Sequence, residues 1–593
     1  MKLVATRFLC VLCVLCGSGI FADALDREAF TVTKYDLEIR LDPEQQRLSG
    51  RGKITLRNDS PQPQKVVALQ VSSSLHWRSI RVADKAVQFV SQPYTSDIDH
   101  TGALSEAIVT LPAEVKRHDS VEVEVGYEGV IPLDATRLTR VGVPEVVAKH
   151  TSWDQISSSF TAVRGAGYVA WYPITTESAD FSEGNSLFEV TDRWRAREAA
   201  SSMVIHFCST EGFAPDEWVL MGDFVPGGRG FSVAGTEYSQ KTSSCIAHNF
   251  DLMGTVAPTF AIANFKKESP PGFSLVSIYS LAGHEAGASV YMRASEPAFS
   301  FVTGWFGKPS VPIAVADFAN PSAAPFESGV LLMASMAAED SKLAGINLVH
   351  ELVHAALPSS RPWVYEGLAH FAEAMYRQQQ GGRQAALDFL GQHRAAFLDS
   401  EKEVLAALAK NAGQESAGRM TSGQALATTF DETYYRSKAA YVWWMLRDMV
   451  GDAALKQAIG KYRAADDKDP KYVEQLMEAA AKRELGWFFD DWVYRDRGLP
   501  DFRVQSVHPW KTEKGVQFVT VTLENLGEAG AEVPFKVTFE GGEITQRIEV
   551  RGKSTATTRV QLAGAPSEVG VNDGSVPESD FANNVFKIVE SSQ

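Results

Sequence analysis

The sequence contains no run of basic residues, and its 57 lysines and arginines are outnumbered by 73 aspartates and glutamates. The net charge of −16 argues against nucleic acid or an anionic membrane as a partner, because both bind through positive charge. We find no internal repeat, and no segment after residue 24 is long and apolar enough to cross a membrane. Hydrophobic and charged contents of 45% and 22% are those of an ordinary soluble globular protein.

Cysteine is also scarce, with five in 593 residues. Three of them lie at the N-terminus, where a lysine and an arginine precede an apolar stretch, residues 8–16, and an Ala-Asp-Ala cleavage site ends at Ala24. This pattern predicts a signal peptide over residues 1–24 and a secreted or periplasmic protein. The remaining pair, Cys208 and Cys245, would then meet an oxidising compartment, which is compatible with a disulfide or with two buried thiols.

The chain is too long for one hydrophobic core, and its patterns change twice after the signal peptide. Residues 25–265 alternate apolar and polar side chains between turn residues, which predicts an N-terminal antiparallel β domain. Residues 266–498 mix strands with helices and become mainly helical, which predicts an α+β domain. Residues 499–593 return to short strands and predict a C-terminal β-sandwich of immunoglobulin-like type.

Histidine is rare, 12 of 593 residues, yet two histidines and a glutamate form an H-E-x-x-H motif at His350, Glu351 and His354. The surrounding residues are apolar nearly all round, which is typical of a buried helix that Pro358 would end. Positions i and i+4 lie on one helical face, so both imidazoles can bind one zinc ion while the glutamate reaches a water molecule.

A catalytic zinc usually has three protein ligands, so a third must follow the motif. Leu357 and Ser360 stand where the metzincin class has glycine and a third histidine, which excludes that class. The next helix offers Glu366 and Glu373 on one face. If the two helices form a hairpin, Glu366 lies level with the histidines by a rise of about 1.5 Å per residue. We therefore predict Glu366 as the third ligand and Glu373 as a support of the ligands.

These motifs, together with three other stretches, resemble the aminopeptidase N-like gluzincins, peptidase family M1. Residues 35–58 are similar to the first strands of that family, and residues 168–174, YVAWYPI, to its W-Y-P turn. The HELVH and WVYEGLAHFAE runs are similar to its pair of zinc-binding helices. The resemblance implies a thermolysin-like catalytic domain, one Zn²⁺ ion and Glu366 as a ligand. Residues 434–446, YYRSKAAYVWWML, resemble the helix with the catalytic tyrosine, which implies Tyr435, with Tyr434 as the alternative.

Three features depart from the family. The gap between H-E-x-x-H and the predicted third ligand, Glu366, is shorter than in the family. The G-x-M-E-N signature is missing, and residues 325–329, Pro-Phe-Glu-Ser-Gly, stand in its place. In the family this glutamate holds the free α-amino group of the substrate, so Glu327 is the candidate for that role, with a solvated loop carboxylate as the alternative. The family's large C-terminal helical-repeat domain is also absent.

The predicted function is zinc-dependent peptide hydrolysis, with Glu351 as general base and Tyr435 as a donor to the oxyanion. The substrate would be a peptide or protein. An aminopeptidase is favoured, and a zinc endopeptidase on the same scaffold is the first alternative. A non-enzymatic protein that binds peptides or proteins through its β domains is the second, but the presence of Glu351 with three candidate ligands counts against it.

Overall fold

The structure, a computed structural model, describes residues 25–183, 186–209, 218–222, 233–234, 245–250, 252–254, 256–272, 275–337, 340–411, 425–429 and 433–588. The predicted signal peptide lies outside the described residues. In the ranges described, we find no helix that is both long enough and apolar enough to span a membrane.

The described residues of the first region form fourteen strands in three sheets, whose orders are β13-β10-β1-β2-β8-β4-β5, β3-β7-β6 and β12-β11-β14-β9. Their bounds are β1 Phe30–Asp42, β2 Arg47–Asn58, β3 Gln64–Ser72, β4 Leu75–Val82, β5 Lys85–Ala86, β6 Phe89–Thr95, β7 Ala103–Val115, β8 Ser120–Val130, β9 Thr161–Val163, β10 Ser202–Ser209, β11 Trp218–Met221, β12 Val233–Ala234, β13 Cys245–Phe250 and β14 Phe260–Ala263. Alternation explains β1, in which Tyr35, Leu37, Ile39 and Leu41 are buried on one face.

The largest sheet differs from the antiparallel prediction at one pairing, because β1 and β10 run parallel while its other strand pairs are antiparallel. On the other side of β10, Cys208 is directly opposite Cys245 of β13, and a disulfide joins the two residues. The pairing therefore favours the first of the two alternatives that the sequence left open.

The strand-rich region also contains helices that the sequence analysis did not predict. They are α1 Thr136–Arg140, α2 Glu145–Thr151 and α3 Ser186–Glu198, with a 3₁₀ turn at Phe181–Glu183. Helix α3 buries Leu187, Val190, Thr191, Trp194 and Glu198, a spacing that follows the helical period. The helical signal was present in residues 186–198, but the surrounding strand pattern concealed it.

One buried carboxyl group in this region, that of Glu198, controls a predicted pH dependence of stability. The Tyr35 hydroxyl donates to Glu198 at 2.8 Å and also faces the Pro173 carbonyl at 3.0 Å, so one hydroxyl proton serves two acceptors. Burial raises the pKa of Glu198 to about 7. When Glu198 carries a proton, its own O–H can donate as well, so both the Glu198 oxygen and the Pro173 carbonyl oxygen can be hydrogen-bonded.

We expect Glu198 to make the protein less stable as the pH rises from about 4.5 to about 7, since the unfolded chain releases this proton first. The free energy of unfolding should fall by roughly 3 kcal/mol over this window and stay low above it. Glu198→Gln, which imitates the protonated group, should remove this part of the slope. Urea unfolding at pH 4.5 and pH 8 measures it, and equal slopes in the variant and the parent protein would contradict the assignment.

The second region is built on a five-stranded sheet of order β15-β16-β17-β19-β18. Its strands are β15 Lys266–Glu268, β16 Val276–Ser280, β17 Ile313–Ala316, β18 Phe326–Ser328 and β19 Leu331–Met333. The three inner strands are parallel, and both edge strands are antiparallel to their neighbours. Edge strand β18 carries Glu327.

Helices complete this region. They are α4 Glu285–Phe306, α5 Ser341–Ala356, α6 Pro362–Asn411, α7 Ala439–Lys461, α8 Tyr472–Ala481 and α9 Gly486–Phe489, with π-helical turns at Thr433–Lys438 and Asp490–Tyr494 and a 3₁₀ turn at Ala464–Asp466. Helices α6 and α7 are each kinked at a glycine with positive φ, Gly382 and Gly451. The single helix predicted over residues 473–492 is wrong. It is interrupted because Lys482 adopts a left-handed φ of 52° and the Glu478 carboxylate accepts from the amides of Leu485 and Gly486.

The last region has seven strands in two sheets, of orders β20-β21-β24 and β23-β22-β25-β26. The strands are β20 Phe502–Lys511, β21 Gln517–Asn525, β22 Ala531–Phe539, β23 Gly542–Val550, β24 Ser554–Leu562, β25 Pro566–Val571 and β26 Val585–Lys587. Alternate residues of the two sheets, such as Val521 and Phe535, are fully or almost fully buried. The core therefore lies between the sheets.

Candidate metal centre

Helices α5 and α6 form the hairpin that the sequence predicts. Helix α5 begins after Asp340, whose side chain accepts hydrogen bonds from two backbone amides of the first turn. It ends at Ala356, shortly before Pro358, and α6 starts at Pro362, where proline costs no hydrogen bond. The short connection places the motif histidines opposite the first turns of α6.

Gly367 explains how α6 approaches its other neighbour, α7. A Cβ atom at this position would lie 2.6 Å from the Cβ of Ala439 and 3.2 Å from the Trp443 ring. Only glycine allows this contact without displacement of a helix. The adjacent Glu366 is thereby held against the segment that precedes α7.

Four side chains direct possible ligand atoms to one point. One atom each from Glu327, His350, His354 and Glu366 lies within 4.8 Å of the other three. The Nε2 atoms of the two histidines are 3.0 Å apart, and a Glu327 oxygen is 2.9 Å from His350 Nε2. The Glu366 oxygens lie 3.9 Å from His350 Nε2 and 4.0 Å from His354 Nε2.

Glu373 lies on the opposite side of the His350 ring. Its carboxylate is 2.9 Å from His350 Nδ1 and 3.1 Å from His370 Nδ1. Burial would raise the pKa of Glu373, but the hydrogen bonds from the two histidines lower it overall. Glu373 therefore stays ionised and fixes the tautomer that leaves His350 Nε2 available as a ligand.

The donor set fits a zinc ion. Ligand atoms at about 2.1 Å from a tetrahedral zinc are about 3.4 Å from one another, and two imidazole nitrogens with carboxylate oxygens form a usual set. Glu351 is 1% exposed, and neither of its buried oxygens has a hydrogen-bond partner among the residues that the structure describes. Such an arrangement costs stability unless a ligand or cation joins it. His350, His354 and Glu366 would hold the ion.

The electrostatics of the site separate two kinds of carboxyl group. Burial, reinforced by the negative charge of Glu327, raises the pKa of Glu351 well above its usual range. Burial also acts on Glu327, but His350 and Arg436 outweigh it and lower the pKa of Glu327. Glu351 is thus suited to hold and release a proton, whereas Glu327 remains charged.

A cavity of about 250 Å³ opens beside these groups. Its wall on this side includes Glu327, His354, Glu366 and the predicted catalytic Tyr435. Tyr435 lies in the π-helical turn Thr433–Lys438, a feature often found at functional sites. The alternative, Tyr434, is buried and does not line the cavity.

Arg436 is a site residue that the sequence analysis did not identify. Its Nη2 donates to Glu327 at 3.1 Å, and its Nε lies 3.2 Å from a Glu366 oxygen. Tyr365 was also missed, and its ring stacks on the His354 ring at 3.7 Å between centroids. Arg436 directly follows Tyr435, but only the tertiary contact with Glu327 reveals what it does.

We compared the chain with known proteins. No family model matches it, and no curated protein matches it significantly. One similar solved structure is a point mutant of an M1 zinc metallopeptidase from Deinococcus radiodurans. Its sequence is 14% identical and the TM-score is 0.46, and the match covers 81% of this chain and 97% of the Deinococcus chain. The same mutant bound to a Tyr-Ser-Ala substrate has 15% identity and the same score and coverage. The unmutated enzyme has 14% identity and a TM-score of 0.45, with 80% and 95% covered.

Proposed function

We propose that the chain is a zinc-dependent metallopeptidase that hydrolyses peptide bonds, most simply an aminopeptidase. The observation that carries the proposal is the convergence of His350, His354 and Glu366 beside the buried, unpartnered Glu351 at the edge of a cavity. A purely structural cluster would have paired its buried oxygens, since unsatisfied groups are costly. A non-catalytic binding protein would have no need to keep Glu351 in that state.

The roles of the residues follow from their positions. When bound, zinc polarises the scissile carbonyl and lowers the pKa of a water molecule toward about 7. Glu351 takes the proton of the attacking water at its carboxylate and gives it to the leaving amine. The Tyr435 hydroxyl donates to the carbonyl oxygen as negative charge develops there. Arg436 orients Glu366, and Glu373 orients His350.

Glu327 decides between the aminopeptidase and the endopeptidase. Its charged carboxylate at the cavity supports a role as anchor of the substrate's α-amino group. Arg436 already contacts one of its oxygens, and the other faces His350 Nε2, so an incoming amine would have to share this carboxylate. The endopeptidase alternative requires no such sharing.

The proposal extends to the organisation of the chain. We propose a signal peptide at 1–24, a β domain at 25–265, a thermolysin-like catalytic domain at 266–498 and an immunoglobulin-like domain at 499–593. The sheets support these boundaries, since strands up to Ala263 and strands from Lys266 pair in different sheets. The Cys208–Cys245 disulfide supports export to an oxidising compartment.

One peptide in two forms, with a free and with an acetylated N-terminus, tests the proposal on the zinc-loaded protein. We expect the free form alone to be shortened from its N-terminus, as mass spectrometry of the products would record. Internal cleavage of both forms would replace the aminopeptidase by the endopeptidase. Failure to cleave a varied peptide pool faster than the Glu351→Gln variant would overturn the peptidase proposal itself.

A further inference from the structure

The cavity beside the metal centre has a second end that the proposed chemistry does not use. Helix α3 of the first region forms this wall through Thr191, Asp192 and Arg195, together with Arg137 of α1. A volume of about 250 Å³ is room for several water molecules or for a side chain. The same cavity is lined by residues of the metal centre and by residues of α3.

Arg195 is the polar group of this wall with donors left for a ligand. Its Nη1 donates to Asp192 at 3.1 Å, and its Nη2 makes only a long contact of 3.5 Å to the Ala166 carbonyl. Its Nε–H is buried and has no hydrogen-bond partner. A guanidinium has five N–H donors in a fork that fits a carboxylate, so this group is incompletely satisfied in the free protein.

The two other arginines that line the cavity have contacts of their own. Arg436 contacts Glu327 and Glu366, which both belong to the metal centre. Arg137 donates to the backbone carbonyls of Asp97 and Gly167, both at 2.6 Å. On this wall, Arg137 and Arg195 are accompanied by one carboxylate, that of Asp192, which pairs with Arg195.

Arg195 and Tyr435, the proposed oxyanion donor, line the same cavity. The wall that carries Arg195 therefore borders the space in which a substrate would present its scissile bond. A substrate carboxylate at Arg195 would then belong to a residue that flanks that bond.

We propose that Arg195 is a specificity-determining residue and that the cavity selects peptides with an acidic side chain next to the scissile bond. This inference rests on the proposed peptidase function. An acidic side chain would accept from N–H groups of the partly exposed Arg195 side chain and compensate its positive charge. An amide of the same shape would satisfy one donor and leave the charge uncompensated.

Matched peptides that differ only by Glu or Gln, at the first or the second residue, test this proposal. For the zinc-loaded protein we expect kcat/KM to favour Glu at one of these positions by about 10- to 100-fold, the range of a hydrogen bond to a charged group. Arg195→Gln should bring this ratio close to one, mainly because kcat/KM for the Glu peptide falls. Arg193→Gln, on the exposed face of the same helix, is the control and should change neither value.

A second variant and a binding measurement keep the proposal open to refutation. Asp192→Asn removes the competing carboxylate and should increase the preference for Glu, whether or not Arg195→Gln folds. Calorimetric titration of the Glu351→Gln protein with both peptides measures the same preference without turnover. If that preference exists while no peptide is hydrolysed, Arg195 still selects acidic peptides as a binding residue, but the peptidase proposal falls. Equal binding of the two peptides, or an unchanged ratio in Arg195→Gln, would overturn the role of Arg195.

Discussion

Replacement of Glu351 by glutamine is expected to lower kcat by about 10²- to 10⁴-fold, the usual contribution of a general acid–base group. The amide keeps the size of the side chain but can neither accept the proton of the attacking water nor return it to the leaving amine. Zinc content should stay near that of the parent protein, because Glu351 is not among the four side chains whose ligand atoms converge. Peptide hydrolysis and metal analysis on the same sample measure both effects.

The same variant should also be more stable than the parent protein in the metal-free state. Burial raises the pKa of Glu351, so near neutral pH folding must either bury a charge or take up a proton, and both cost stability. The glutamine side chain is neutral in the folded and the unfolded state and avoids this cost. A gain in stability with a loss of activity is characteristic of a residue kept for function. Glu474→Gln is a matched control. Glu474 is also buried, but it accepts a hydrogen bond from Tyr494, and neither residue lines the cavity. Residual activity within tenfold of the parent would contradict the role of Glu351.

The local part of the site could be predicted from the sequence. The spacing of His350 and His354 defines one helical face, and Pro358 ends the helix, so the hairpin follows from residues within one short segment. The same rise per residue favours Glu366 over Glu373 as the group level with the histidines. In the structure Glu366 lies on the Nε2 side of the histidines and Glu373 on the Nδ1 side of His350. Short-range geometry was sufficient here.

The remaining part of the site depends on contacts between distant segments. Glu327 lies on an edge strand and meets Arg436 across 109 residues of chain. Nothing in the residues around Glu327 indicates that its oxygen reaches His350 Nε2, because this depends on how strand β18 is paired and where α5 packs. The α3 wall of the cavity was missed for the same reason. Periodicity can be read from a single sequence, whereas contacts between distant segments, such as those of Glu327 with Arg436 and His350, depend on tertiary packing.

The second large effect is expected on zinc affinity, when the proposed third ligand, Glu366, is replaced. We expect Glu366→Gln to reduce zinc affinity by much more than 100-fold, since it removes a charged ligand and leaves Arg436 beside an uncharged amide. Glu373→Gln should cost only about 10- to 100-fold, the range for groups that orient a ligand. Competition with a chelator of known affinity measures both values, and circular dichroism confirms that each variant is folded.

The comparison is sharp because the two glutamates lie two turns apart on one helix and contact opposite sides of the same imidazole. Both substitutions remove one negative charge from the same buried cluster, so a general electrostatic effect would weaken zinc binding equally in the two variants. A ligand is distinguished by its direct bond to the metal, which only one of them can lose. If Glu373→Gln proved the more damaging change, Glu373 would be the ligand, and the convergence of Glu366 with the histidines would reflect its ion pair with Arg436 instead.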